Sequence, residues 1–132
     1  KKGAAKSNHN SVKKWIQNEL QKCNVGERTS MNGNLTCANR ATEQTVVTAV
    51  IASLATNSDD MINPYGTADA VTETANTGCA AGNDPIFEGT VYVSADASAN
   101  QIVIHTCITN PTGETGEQAS DWEMTDNVNN AG

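Results

Sequence analysis

The sequence has no lysine or arginine after Arg40, although most of the chain still follows. It has no run approaching the roughly 18 apolar residues that read as a membrane-spanning helix. Signal-peptide and lipidation motifs are also missing. No G-x-S-x-G elbow, phosphate-binding glycine loop or dinucleotide fingerprint occurs, so the sequence signatures of serine hydrolysis, nucleotide chemistry and nicotinamide chemistry are absent. No two cysteines form a C-x-x-C pair and both histidines lie far from them, so the close-spaced ligand pairs of structural zinc are missing. Aromatic residues make up only 4% of the chain, and Leu, Ile, Val and Phe number 21 against 17 alanines. A core built from so few large side chains is thin, and something besides apolar burial must hold it.

What the sequence does have is four cysteines in 132 residues, a length that suits one domain. An even count in a small acidic chain rich in Asn and Thr points to two disulfides and an oxidising compartment. Of the three pairings, Cys23–Cys37 with Cys79–Cys107 closes local loops, and each bridge contributes about 2–4 kcal/mol by constraining the unfolded chain. An exported protein needs an export signal, so the sequence reads as a fragment lacking its natural start. The net charge of −7 is unevenly placed. Lys1, Lys2, Lys6, Lys13, Lys14 and Lys22 crowd the beginning, while twelve carboxylates lie from Asp59 to Asp126. This pattern fits either a solvated basic helix beside a soluble acidic head or a basic end that meets something negative, an acidic neighbouring copy or lipid head groups, and the acidic bulk argues against nucleic acid.

Residues 4–22 read as a helix, with Val12, Ile16, Leu20 and Cys23 on one stripe and lysines on much of the other side. No clear N-cap precedes it, as if a longer helix had been cut, and Asn24 and Gly26 end it. A polar loop follows over 24–40. Val46, Val47, Val50, Ile51 and Leu54 predict a second helix over 41–55, capped by Asn39 or Thr42. Asn63-Pro64-Tyr65-Gly66 is a turn, and a short strand is expected over 68–74. The alternation around Phe87, Val91 and Val93, the turn at 96–100, and Ile102, Ile104 and Ile108 predict an antiparallel hairpin with one buried face. The remainder, 110–132, reads as a polar acidic tail. The expected fold is α+β: an amphipathic N-terminal helix on a small antiparallel sheet of three to four strands, a short second helix in the connection, and two disulfides. Residues 1–132 form one domain, divided into the helix (1–22), the disulfide loop and second helix (23–66), the sheet (67–109) and the tail (110–132).

The stretch from Lys1 to Leu20 resembles the second half of the long N-terminal helix of type IV pilins and of the related type II secretion pseudopilins. Asn63-Pro64-Tyr65, Phe87 to Val93 and Gln101 to Thr106 resemble the turn and strands of that family. The resemblance implies a non-enzymatic subunit of an extracellular filament, anchored in the inner membrane before assembly by a segment outside this sequence. Its partners would be copies of itself and related minor pilins. Val12, Ile16 and Leu20 would pack on the sheet, while Trp15, Lys13 and Lys14 would meet neighbouring subunits.

Two further features bear on function. Glu114, Glu117, Asp121 and Asp126 are carboxylates of the kind that bind calcium, and pseudopilin heads carry a late calcium loop. That reading makes calcium the one expected cofactor, with a solvated acidic tail as its rival. His9 on the helix and His105 on a strand suit packed or surface histidines better than a catalytic pair. The alternative to a filament subunit is a pseudopilin or a secreted ligand-binding module.

Overall fold

The computed structural model describes residues 1–54, 61–66, 70–73, 88–110 and 115–130. The first helix, α1, spans Lys2–Asn24. Ala5, His9, Val12, Ile16 and Leu20 recur every three or four residues along it and are all buried. That periodicity, with no proline and a single early glycine, drives the helix. It ends where Gly26 takes φ +99° and its N–H bonds the Cys23 carbonyl at 3.3 Å.

Residues 24–40 are more ordered than a polar loop. Strands β1 (Thr29–Ser30) and β2 (Leu35–Thr36) pair antiparallel, and a 3-10 turn spans Cys37–Asn39. Met31 and Leu35 are fully buried within this segment and join the core. The Cys23–Cys37 disulfide ties the segment to the end of α1. It is the one bridge seen among the described residues, so the fold shows one of the two expected disulfides. Cys107 is buried and no described cysteine is free, but its expected partner Cys79 lies outside the described residues. The second helix, α2, spans Glu43–Leu54 and buries Val46, Val47 and Val50.

Four further strands form the main sheet in the order β3-β4-β5-β6: Val71–Glu73, Val91–Asp96, Gln101–Cys107 and Glu123–Asn129. The hairpin β4–β5 is antiparallel, pairing Val93 with Ile104 and Ala95 with Ile102. Three expectations are corrected here. The sheet is mixed, because β3 runs parallel to β4. The separation of β3 and β4 in the chain has the dozen or more residues that a parallel crossover needs. The end of the chain is also no solvated tail. After a short helix, α3 (Ala119–Trp122), strand β6 pairs with β5 along seven residues, from Gln101↔Asn129 to Cys107↔Glu123. Nor is only one sheet face buried, since Tyr92, His105 and Cys107 are buried beside Val91, Val93 and Ile104.

Both helices lie on the same side of this sheet. Helix α1 packs on β5 and β6, and α2 packs on β3 and β4. Val12, Ile16 and Leu20 meet Val46, Val47, Val50, Val93, Ile102, Ile104 and Val128 in one cluster. Each such side chain contributes about 1.5–3 kcal/mol when fully buried. The expected contact of helix and sheet is therefore present, made by the stripe that the sequence placed there.

Candidate functional site

The surface between α1 and the sheet carries an unusual amount of polar chemistry. His9 occupies a stripe position between Ala5 and Val12 and is 0% exposed. A polar ring placed there needs partners on both nitrogens. Nδ1 lies 2.7 Å from Thr106 Oγ1 on β5, and Nε2 lies 2.7 Å from Asp126 Oδ2 on β6. Lys13, one turn along α1, donates to the other Asp126 oxygen at 3.1 Å. A neutral ring protonated on Nε2 satisfies every group: it donates to the carboxylate and accepts from the Thr106 hydroxyl.

Electrostatics agree with that assignment. Burial pushes the His9 pKa below its ordinary 6.5, with Lys13 and His105 acting in the same direction, against the pull of Asp126. Burial alone would raise the Asp126 carboxyl, but hydrogen bonds from His9 and Lys13 and the Lys13 charge outweigh it, holding it below 3.8. Thr, His and Asp in series resemble a nucleophile relay. Thr106 is 0% exposed, however, so its hydroxyl faces His9 inside the core and not a substrate.

Two more polar anchors fasten the far end of α1. Glu19 is buried; its Oε1 accepts the Met31 N–H at 2.6 Å and its Oε2 meets Lys22 Nζ at 2.7 Å. Met31 and Asn32 have φ of 55° and 59°, so Glu19 secures a turn with left-handed backbone. Arg40 donates to the Leu20 carbonyl at 3.1 Å, to Asn24 Oδ1 at 2.7 Å and to the Asn130 carbonyl.

The expected site residues fall into distinct settings. Val12, Ile16 and Leu20 are in the core. Lys14 is exposed, as are Lys2 and Lys6. Lys13 is half-buried and bound to Asp126 of its own chain. Trp15 is half-buried and packs against the core cluster. An open groove lined by Gln17, Asn18, Gln21, Asn127, Val128 and Asn129 runs between α1 and β6. Of the carboxylates considered for calcium, Asp121 and Asp126 have separate partners within the fold. Glu114 lies outside the described residues and Glu117 is half-buried. Asp121 accepts the Gln118 N–H at 2.8 Å in the capping box of α3, and Asp126 is held by His9 and Lys13. Among the described residues, no three His, Cys, Asp or Glu side chains converge as a metal site, and no helix is long and apolar enough to cross a membrane.

Sequence reasoning missed Glu19, Arg40, Thr106 and the pairing of His9 with Asp126. The available signal was His9 itself, a polar residue on an otherwise apolar stripe. Comparison with protein-family models, with curated proteins and with solved structures gives no match.

Proposed function

We propose that the chain is the globular head of a type IV pilin-like filament subunit: a structural, extracellular protein that polymerises with copies of itself and related minor pilins. In this reading an N-terminal segment outside the sequence anchors the subunit in the inner membrane before assembly. The observation that carries the proposal is the disposition of α1. One face, through Val12, Ile16 and Leu20, is buried in its own domain. The opposite side is exposed and carries Lys14, and Lys2 and Lys6 are exposed along the first turns of the helix. A helix fastened along one side and open along the other suits a repeating contact between identical subunits, the heterologous geometry that builds fibres. The imbalance between a lysine-rich helix and a sequence without cations after Arg40 supplies complementary charge for that contact.

Antibodies raised against this domain test the reading on producing cells. Sheared surface fractions viewed by immunoelectron microscopy are expected to show label along thin filaments. Label confined to soluble monomeric protein, with none on filaments, contradicts it.

A further inference from the structure

The two halves of α1 are attached by different means. The second half is held by Ile16 and Leu20 in the core, by Glu19 on the Met31 N–H, by Arg40 on the Leu20 carbonyl, and by the Cys23–Cys37 bond. The first half buries only Ala5, His9 and Val12, and adds a bond from Asn8 to the Ile62 carbonyl at 2.9 Å and the half-exposed ion pair of Lys13 with Asp126 at 3.1 Å. His9 is the largest buried side chain of that half, and it is held through hydrogen bonds to Thr106 and Asp126. The deepest polar attachment of the first half is therefore one titratable ring.

We propose that His9 is an acid-triggered release for the first half of α1: protonating its ring loosens residues 2–13 from β5 and β6, while Glu19, Arg40 and the disulfide keep the second half fastened. The charged groups facing the ring are Asp126 of β6, Lys13 on the same helix and His105 of β5. Asp126 is already paired with Lys13. A proton on His9 thus places a second cation on a carboxylate that has one, and it does so on a ring that is itself fully buried. His105 adds like charge when it is protonated, and Glu123, 3.2 Å from its Nε2, offsets that charge locally. Lowering of the His9 pKa by burial fixes the direction. The docked helix favours the neutral ring, so docking is complete above 6.5 and weakens as pH falls from there through the docked-state pKa. The inference holds whether or not copies assemble.

Hydrogen exchange followed by NMR on the intact chain, corrected for intrinsic exchange, tests it between about pH 7.5 and about pH 4.5. The opening constant for amides of Lys6 to Val12 is expected to rise by up to about tenfold per pH unit below the ordinary imidazole pKa. Amides of Ile16 to Cys23 are expected to change little. His9→Gln, which can donate to Asp126 and accept from Thr106 without titrating, should abolish the rise, and His105→Gln should retain it. No rise in the wild type, a rise that survives His9→Gln, or one abolished by His105→Gln overturns the proposal. If His9→Gln does not fold, NMR titration of the wild-type ring decides. A His9 pKa below 6.5 supports the release, and one at or above 6.5 overturns it.

Discussion

Arg40 and Asn130 hold each other's main chain: the Arg40 guanidinium donates to the Asn130 carbonyl, and the Asn130 side-chain amide donates to the Arg40 carbonyl at 2.6 Å. Because Arg40 also binds the Leu20 carbonyl and Asn24, this pair joins the end of α1, the disulfide segment and the end of β6. Arg40→Ala should lower stability by about 1.5–3 kcal/mol in urea denaturation, as expected for hydrogen bonds to a charged group. Arg40→Lys should restore less than half of that, because an ammonium cannot reproduce the planar fork. Full recovery with lysine would mean that charge, and not geometry, matters there.

Gly89 precedes β4 with φ +82°, and a Cβ added there would run into the side chains of Asn63 and Tyr65. Asn63 donates to Thr90 Oγ1 at 3.0 Å and accepts the Tyr65 N–H at 2.9 Å, and Tyr65 donates to the Ile108 carbonyl. The Asn63-Pro64-Tyr65 turn is thus fitted against the hairpin through a glycine-sized gap. Gly89→Ala should cost about 2–4 kcal/mol, combining backbone strain with overpacking. A thermal midpoint equal to the wild type's would show that the turn can move aside without loss.

Acid stability offers a check on Asp126. Its folded-state pKa lies below the ordinary 3.8, so the stabilisation it provides is present above that value and is lost as pH falls through the folded value. Asp126→Asn should reduce stability at neutral pH by about 1–3 kcal/mol, through loss of the charged partner of His9 and Lys13. It should also flatten the stability–pH curve in the acid limb. An unchanged acid limb in the variant would assign that limb to other carboxylates.

Much of this fold was legible from spacing. The stripe of Val12, Ile16 and Leu20, the valines of α2 and the alternation of β4 and β5 each carry one strong period, and each became the expected element. Strand β6 escaped because Met124, Asp126 and Val128, its residues facing α1, have a carboxylate in the middle. That pattern makes sense only once His9 and Lys13 of α1 are placed opposite, and their contacts with Asp126 span 117 and 113 residues. His9 and Asp126 are each anomalous alone and explain one another as a pair. The parallel pairing of β3 was hidden for a similar reason, since a three-residue strand carries no signal of its partner.

The exposed lysines of α1 give the filament reading a chemical test. Lys14→Glu reverses a charge on the open side of the helix without touching the core, so folding stability should change by less than about 0.5 kcal/mol. Assembly should weaken, and wild-type assembly should itself weaken as salt screens the contact. Filament yield from sheared cells, set beside the thermal midpoint of the purified domain, separates the two effects. Equal yields for variant and wild type would remove Lys14 from the contact.

The most direct test of the central claim is a cryo-electron microscopy reconstruction of surface filaments from a producing cell. The account predicts a helical array in which this domain fits the repeating density, with the side of α1 that bears Lys14 turned toward neighbouring subunits and the sheet toward the outside. Filaments whose density does not accept the domain, or in which that side of α1 faces solvent away from every neighbour, would contradict it.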